Sequence, residues 1–146
     1  MSELKRYQMY INGEWTDAEN GATFTSVNPA TGETWAEVPE ASDRDVNRAV
    51  EAAPRAFKDG PWSKLTPTAR GKMLRRLADV LATHSETLGR CETIDTGKLF
   101  KETRWQANYI SDFFHYYAGL ADKVSGETLP IDKPDMLTIT LREPLG

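Results

Sequence analysis

The chain has 146 residues, of which 39% are hydrophobic and 27% charged, and its formal net charge is −4. This composition excludes a collagen-like or fully disordered protein and leaves room for one domain at most. The acidic balance argues against nucleic acid as a partner, because proteins that bind its phosphates carry basic surfaces. No apolar run approaches the roughly 20 residues that a membrane-spanning helix needs, so we expect no membrane segment.

The cysteine content and the first residues indicate a reducing compartment. A single cysteine allows no internal disulfide and no cysteine zinc cage. Residues 1–6 are mostly polar and lack the apolar segment of a secretory signal. We therefore expect a soluble, cytoplasmic protein.

The first third of the chain predicts short antiparallel strands joined by tight turns. The Asn12-Gly13 pair is the strongest hairpin signal, because both residues tolerate positive φ. Two further runs rich in β-branched and aromatic residues cover positions 24–27 and 34–38. None of these runs has the composition of a buried parallel strand.

The middle of the chain shows helical periodicity. One helix is predicted after the N-cap Ser42 and a second after the Thr66-Pro67 pair, where a hydroxyl and a proline begin the first turn. The second helix is expected to break near His84, and its continuation should stop at Gly97. These signals, with the aromatic helix that follows, predict three or four helices.

The last third combines an aromatic helix with a hairpin. The helix is predicted from about Lys101 to Tyr117, with Gly119 as its end, and its aromatic residues lie on more than one face. We therefore expect it to be covered on most sides. Residues 124–131 and 136–141 are predicted to form the two arms of a β-hairpin.

These elements do not make a self-contained fold. The helices carry apolar stripes, but the chain offers only hairpins and no Val- and Ile-rich strands for a parallel sheet. An isolated two-stranded hairpin is marginal in water, and its free edges invite pairing with another chain. We expect either a piece of a larger polypeptide or the obligate partner of one.

Eight short motifs stand in order along the chain. They are YINGEW (10–15), VNPATGE (27–33), GPW (60–62), RRLAD (75–79), DTGK (95–98), YYAG (116–119), GET (126–128) and REPLG (142–146). Together they resemble the amino-terminal signature of the NAD(P)-dependent aldehyde dehydrogenase superfamily. Each motif alone is a weak signal, but eight in collinear order over nearly the whole chain are highly specific.

The resemblance implies a parent α/β fold with a Rossmann-like parallel sheet, of which this chain would supply roughly the first third. The segment itself would be α+β, with short antiparallel strands, three to four helices and a C-terminal hairpin. Residues 1–121 would form the amino-terminal part of the cofactor-binding domain, and residues 122–146 a bridging hairpin that leads into the sheet. Two positions depart from the family: Leu99 replaces a common proline, and Pro54 should kink the first helix.

The resemblance also implies the reaction of the parent protein, which is oxidation of an aldehyde to a carboxylate with NAD⁺ or NADP⁺. In the family a Cys thiolate attacks the carbonyl, amide donors stabilise the oxyanion, and hydride passes to the nicotinamide. That nucleophile, the general-base Glu and the glycine-rich cofactor turn would lie beyond residue 146, so we expect the chain alone to be inactive.

Other interpretations remain open. The chain could be a non-catalytic assembly module that pairs through its hairpin, at residues 122–146, with other subunits or with the remainder of the enzyme. It could also be a small domain that shares only ancestry with the family. The expected partners are a small-molecule aldehyde and either a second copy of the chain or the rest of the enzyme.

The first candidate site suggested by the resemblance is a monovalent-cation site. In some family members an Asp matching Asp95, with backbone carbonyls of the strand matching Ser26 and Val27, binds an ion such as Na⁺ or K⁺. Hard cations favour oxygen ligands of this kind. A carboxylate in the last turn of a helix opposes the helix dipole, and Lys98 is the alternative source of compensating charge.

The second candidate site is the aldehyde tunnel. In the family the matching aromatic helix borders this tunnel, at positions corresponding to Gln106, Tyr109, Ile110 and Phe113. An apolar wall suits a small-molecule pocket, because such pockets are lined mainly by aromatic and aliphatic side chains. The alternative is that these side chains belong to the core.

The remaining reactive residues are expected to have structural roles. Cys91 lies in an apolar helical stripe, and the sequence does not contain the Gly-rich motif that carries the family's catalytic Cys. His84 and His115 have no partner at a metal-ligand spacing. Asp43 and Asp45 should complement the positive end of a helix.

Overall fold

The computed structural model describes residues 4–145. Within them lie seven short strands, four α-helices and one 3₁₀ turn. In chain order these are β1 (Lys5–Arg6), β2 (Met9–Ile11), β3 (Glu14–Thr16), β4 (Thr23–Val27), β5 (Thr34–Pro39), α1 (Asp43–Asp59), the 3₁₀ turn (Pro61–Lys64), α2 (Pro67–Thr83), α3 (Ser85–Thr96), α4 (Phe100–Leu120), β6 (Thr128–Leu129) and β7 (Thr138–Ile139).

The hairpin predicted at the Asn12-Gly13 pair is formed by β2 and β3. Both turn residues have positive φ angles, 54° at Asn12 and 86° at Gly13. Met9 lies opposite Thr16 in antiparallel register. The prediction is confirmed, because positive φ at both central positions matches the twist of the flanking strands.

The remaining early strands form a three-stranded sheet in the order β1-β5-β4. β4 and β5 are antiparallel, and they contain the predicted runs at 24–27 and 34–38. β1, however, pairs with β5 in parallel, with Lys5 opposite Ala36. The expectation of antiparallel strands alone is wrong here, because the two residues of β1 are too few to show a pattern.

α1 begins with a capping box at its predicted N-cap. Ser42 Oγ accepts a hydrogen bond from the Asp45 N–H at 3.3 Å, and the Ser42 N–H donates to the Asp45 carboxylate at 2.9 Å. Asp43 and Asp45 both lie in the first turn, as predicted. Pro54 lies inside this helix, which continues past it to Asp59, and the kink expected at the proline stays a prediction.

The other helix boundaries follow the sequence signals with one exception. α2 and α3 are separated at His84, and Gly97 ends α3 with a φ of 75°. α4, in contrast, runs through Gly119 to Leu120. Gly119 was expected to end α4, and that prediction is wrong, because this glycine does not adopt the left-handed conformation of a helix cap.

The C-terminal hairpin is present but shorter than predicted. β6 and β7 contribute two residues each within the predicted arms at 124–131 and 136–141. Thr140 extends the pairing, since its N–H donates to the Glu127 carbonyl and its Oγ1 accepts from the Glu127 N–H, both at 2.8 Å. A hairpin of this size cannot be stable by itself.

The buried apolar residues of the described part of the chain are all alanines. They are Ala18, Ala36, Ala52, Ala78, Ala107 and Ala118. Small side chains at these positions allow the helices to approach closely. A Cβ atom added to Gly71 of α2 would lie 2.7 Å from the carbonyl oxygen of Ala118 in α4. The helices therefore pack backbone to backbone rather than through large interdigitating side chains.

One buried hydroxyl joins α3 to α4. Thr103 is fully buried, and its Oγ1 lies 2.9 Å from the carbonyl oxygen of Gly89 and 2.8 Å from Thr93 Oγ1. A carbonyl oxygen can only accept, so the Thr103 hydroxyl donates to the Gly89 carbonyl or to the Phe100 carbonyl of its own helix, which is 3.1 Å away, and its oxygen can accept from Thr93. The contacts with Gly89 and Thr93 join α4 to α3.

The large hydrophobic side chains lie mostly on the surface of the described chain. On α1, Val46 and Val50 are 52% and 63% exposed, and on α4, Trp105 and Tyr116 are 60% and 64% exposed. The chain itself therefore does not cover the aromatic helix on most sides. No helix within residues 4–145 is long and apolar enough to cross a membrane.

Asp45, in the first turn of α1, is a buried carboxylate with several hydrogen-bond partners. It is only 1% exposed, and it accepts hydrogen bonds from the Ser42 hydroxyl at 2.7 Å and the Glu19 N–H at 3.2 Å. Arg48 Nη1 lies 3.4 Å from its other oxygen. The hydrogen bonds from Ser42, side chain first and backbone second, lower the pKa of Asp45 below its ordinary value of 3.8.

We expect Asp45→Asn to loosen the first turn of α1 near neutral pH. Amides of this turn should exchange with deuterium about fivefold faster, the size that loss of an N-cap interaction typically has. Because the folded pKa is lowered, the carboxylate stabilises the fold above the unfolded pKa and ceases to do so as pH falls through the folded pKa. The difference between wild type and variant should therefore shrink below about pH 4.

The matched control for this prediction is Asp43→Asn. Asp43 lies in the same turn and is exposed, so this variant changes the same charge without removing a buried acceptor. Equal exchange rates in the two variants, or a difference independent of pH, would contradict the role assigned to Asp45. Hydrogen–deuterium exchange of α1 peptides in the complete protein measures both.

Candidate functional site

α4 carries a ladder of aromatic rings on one side. Trp105 and Tyr109 are stacked, with ring centroids 4.9 Å apart and an interplanar angle of 13°. Tyr109 meets Phe113 edge to face at 5.1 Å and 77°. The three residues recur at intervals of four, which places them on neighbouring turns of the same helix face. All three rings are between 43% and 60% exposed.

Two of the four predicted tunnel residues lie together. Tyr109 and Phe113 line a shallow cleft of about 360 Å³ along α4, together with Asp112, Tyr116 and Tyr117. Gln106 and Ile110 do not line this cleft. Gln106 is exposed, and Ile110 lines a different cavity. Trp105, another residue of the predicted aromatic helix, does not line this cleft either, although its ring stacks on Tyr109.

The cavity that Ile110 lines is larger and lies between the three-stranded sheet and α3. It has a volume of about 660 Å³, and its walls are mostly apolar. Lining residues include Phe24 and Trp35 of the sheet and Cys91 and Asp95 of α3. Tyr109 and Phe113 thus line one cavity and Ile110 another, and Gln106 lines neither of the two.

The candidate cation residues Ser26 and Asp95 are in direct contact. Ser26 Oγ donates to Asp95 Oδ1 at 2.6 Å, across 69 positions of sequence. The Trp35 indole N–H donates to the same Ser26 Oγ at 3.1 Å. The ladder between β4 and β5 shifts register between Ser26 and Val27, where Trp35 is the unpaired residue of β5. Such an irregularity disrupts the regular backbone pairing beside Ser26 and Val27.

Lys98 does not compensate the charge of Asp95. Its Nζ instead lies 2.7 Å from Glu92 Oε1. Because the chain turns at Gly97, the Lys98 side chain extends back along α3 to Glu92 and does not pair with Asp95. Among the ion pairs of residues 4–145 none includes Asp95, whose one hydrogen bond comes from the neutral Ser26 hydroxyl. The alternative in which Lys98 balances Asp95 is therefore wrong.

The donors that the resemblance implies are a carboxylate oxygen of Asp95 and the backbone oxygens of Ser26 and Val27. These are hard ligands, the type that suits a hard cation such as Na⁺ or K⁺. In the part of the chain that the structure describes, no three His, Cys, Asp or Glu side chains cluster as metal ligands. A cation here would also offset the carboxylate at the negative end of α3, where the helix dipole disfavours it.

Cys91 and the two histidines occupy structural positions. Cys91 is half-buried, and its Sγ lies 3.7 Å from Tyr7 Oη. His84 joins α2 to α3. His115 Nε2 lies 3.5 Å from Asp79 Oδ1 on the surface. None of these contacts pairs a nucleophile with a general base.

The sequence model of the aldehyde dehydrogenase family matches residues 15–146 of this chain. The (Z)-2-((N-methylformamido)methylene)-5-hydroxybutyrolactone dehydrogenase of Acinetobacter baylyi is 50% identical over 143 residues, which make up 98% of this chain and 29% of that protein. Both similarities extend over nearly the whole chain, in agreement with the amino-terminal segment predicted from the motifs.

Solved structures agree with the sequence comparison. The NAD-dependent aldehyde dehydrogenase of Sinorhizobium meliloti matches with a TM-score of 0.90 and 35% identity, over 97% of this chain and 28% of that one. A betaine aldehyde dehydrogenase point mutant of Staphylococcus aureus, in complex with NAD⁺, matches with a TM-score of 0.84 and 42% identity, over 89% and 26%. The predicted aldehyde dehydrogenase-like α/β parent fold is confirmed. This chain, which spans less than a third of the length of these relatives, belongs to the aldehyde dehydrogenase family.

Proposed function

We propose that this chain is the amino-terminal segment of an enzyme that oxidises an aldehyde to a carboxylate with NAD⁺ or NADP⁺. The observation that carries the proposal is the family match over residues 15–146. The exposed apolar faces of α1 and α4 support it, because exposed faces of this kind mark surfaces that another part of a protein covers. The chain supplies helices and hairpins around the site, and it is not competent alone.

The chemistry requires groups that residues 4–145 do not combine. The half-buried Cys91 makes a hydrogen-bond contact with a tyrosine hydroxyl, and within residues 4–145 it makes no such contact with a general base. When bound, the nicotinamide cofactor accepts the hydride that the aldehyde carbon gives up. The contribution of this chain is to position the aromatic face of α4 and the helices that support the cofactor-binding domain.

Activity measurements test this proposal. The complete protein, as its source organism makes it, should form reduced cofactor from an aldehyde and NAD⁺ or NADP⁺, followed by the absorbance of the nicotinamide. The 146-residue chain alone should form none. Sustained turnover by the chain alone would overturn the proposal, and so would a complete protein without aldehyde oxidation.

We also propose that the aromatic face of α4 borders the aldehyde site, with Tyr109 and Phe113 as its wall and Gln106 and Ile110 at its margins. In the complete protein, Tyr109→Ala or Phe113→Ala should change the ratio of kcat/KM between a small and a bulky aldehyde by about tenfold, the scale on which an apolar pocket discriminates. Steady-state kinetics with several aldehydes measures this ratio.

The matched control for the α4 variants is Tyr10→Ala. Tyr10 is an aromatic residue of β2 that is 62% exposed and lies outside the cleft. This change should leave the ratio as it is in the wild type. Unchanged ratios in both α4 variants would remove the proposal for this face without affecting the assignment of the reaction.

The cation site is a third proposal. Asp95 and the backbone oxygens of Ser26 and Val27 would hold Na⁺ or K⁺, which would tie the end of α3 to β4. Either salt should then raise the thermal midpoint of the complete protein at constant ionic strength, and Asp95→Asn should remove this effect. A midpoint that does not respond to the cation would refute the site.

The C-terminal hairpin segment is the surface through which we propose that the chain associates. Leu137, Ile139 and Leu141 of the hairpin segment are between 52% and 76% exposed, so we propose that residues 122–146 pair with a second copy of the enzyme or with its remainder. Leu137→Glu should shift the complete protein to a smaller species in size-exclusion chromatography. Association without any aldehyde oxidation would favour the assembly-module alternative.

We further propose a cytoplasmic location, which cell fractionation tests.

A further inference from the structure

Three side chains from three elements form a hydrogen-bonded relay at the end of α3. Trp35 of β5 donates from Nε1 to Ser26 Oγ of β4 at 3.1 Å, and Ser26 Oγ contacts Asp95 Oδ1 of α3 at 2.6 Å. No adjacent residues in sequence are involved, so the tertiary fold alone brings the relay together. It lies beside the cavity between the sheet and α3.

The chemistry of the three groups fixes the direction of this relay. An indole N–H can only donate, and a carboxylate can only accept. The Ser26 hydroxyl has one proton, so it donates to Asp95 while its oxygen accepts from Trp35. Hydroxyl-to-carboxylate bonds of about 2.6 Å are charge-assisted and comparatively strong. The carboxylate therefore sets the direction of the Ser26 O–H, and Trp35 helps to fix the position of the Ser26 oxygen.

The indole is itself held in place by its surroundings. Trp35 is the unpaired residue of β5 at the register shift, so its side chain is not set by the regular ladder. Tyr7 packs edge to face on it with ring centroids 6.0 Å apart, and Tyr7 Oη reaches Cys91 Sγ at 3.7 Å. Cys91 and Asp95 are four residues apart and face the same side of α3. Tyr7 and Ser26 thus contact α3 at two successive turns.

We infer that Trp35 is a positioning residue for Asp95: by holding the Ser26 oxygen in place it fixes carboxylate oxygen Oδ1, and Oδ2 would then serve as the ligand of a monovalent cation. This inference rests on the cation site proposed above. Without the indole donor, the Ser26 side chain is held less firmly, and so is the carboxylate that it contacts. Cation affinity should fall although no ligand atom has been removed.

The test compares cation affinity in variants of the complete protein, with the thermal midpoint followed against KCl or NaCl at constant ionic strength. Trp35→Phe keeps an aromatic ring against Tyr7 and removes the N–H. The half-saturating cation concentration should rise roughly 2- to 10-fold, the effect of losing one hydrogen bond. Ser26→Ala should raise it similarly, and Ser26→Thr, which keeps a hydroxyl, should restore it.

The matched control is Trp15→Phe, since Trp15 is a tryptophan of β3 that is 68% exposed. This variant should have the wild-type half-saturating concentration. If Trp35→Phe lowers the midpoint at every cation concentration but leaves half-saturation unchanged, its role is structural and the inference is overturned. A wild type that does not respond to cations, or a response that survives Asp95→Asn, refutes the cation site itself and the inference with it.

Discussion

Gly89→Ala should destabilise the complete protein by about 1–3 kcal/mol, the cost of forcing an extra carbon into a filled space. A Cβ atom at Gly89 would lie 2.6 Å from Cα and 2.7 Å from N of Arg104. These are backbone atoms of α4, so the helices must separate to accommodate the methyl group. Separation would also strain the buried hydrogen bond from Thr103 to the Gly89 carbonyl.

Gly119→Ala is the control for this prediction because it makes the same change inside a helix. A Cβ atom at Gly119 would meet no other atom within 4 Å. The higher helix propensity of alanine should then stabilise α4 by up to about 1 kcal/mol. Chemical denaturation of the two variants measures the difference. Shifts of the same sign and size would show that α3 and α4 can move apart freely.

The 146-residue chain alone should fail to unfold cooperatively and should bind a hydrophobic dye. Its buried apolar residues are alanines, whereas Phe24, Val50, Trp105 and Tyr117 are all more than half exposed. Burial of large apolar side chains is the main favourable term in folding, and here most of it is missing. Secondary structure can persist without fixed tertiary packing in such a chain.

Calorimetry and dye fluorescence, with the complete protein as reference, check this expectation. The complete protein should melt with a heat-absorption peak and bind little dye, because its remaining residues cover the faces of α1 and α4. A sharp, cooperative transition of the chain alone, without dye binding, would contradict the proposal that these faces pack against another part of the enzyme.

Local backbone chemistry was readable from the sequence. The Asn12-Gly13 hairpin, the Ser42 cap and the stop at Gly97 each depend on neighbouring residues only, and each is present. Gly119 shows the limit of this reasoning. A glycine can end a helix, but it does so only where the chain needs a left-handed conformation, and α4 continues through this position.

Contacts between distant residues could not be read in the same way. The motifs placed Ser26 and Asp95 in one candidate site only through the family resemblance, and the Trp35 donor gave no signal in sequence. Lys98 illustrates the opposite error. Its nearness to Asp95 along the chain suggested an ion pair, but the turn at Gly97 directs it to Glu92. Spacing along a chain predicts contacts within a regular helix and fails beyond its end.

The unpaired position in β5 has a consequence for how this strand tolerates changes in length. Ser26 lies opposite Ala36 and Val27 opposite Thr34, so Trp35 is a surplus residue between two intact pairs. Deleting it would leave both neighbouring pairs and the inward or outward direction of every other β5 side chain unaltered. The sheet pairing and the indole donor are thus separable, and a gene that loses this single codon should keep the sheet while losing the group that holds Ser26.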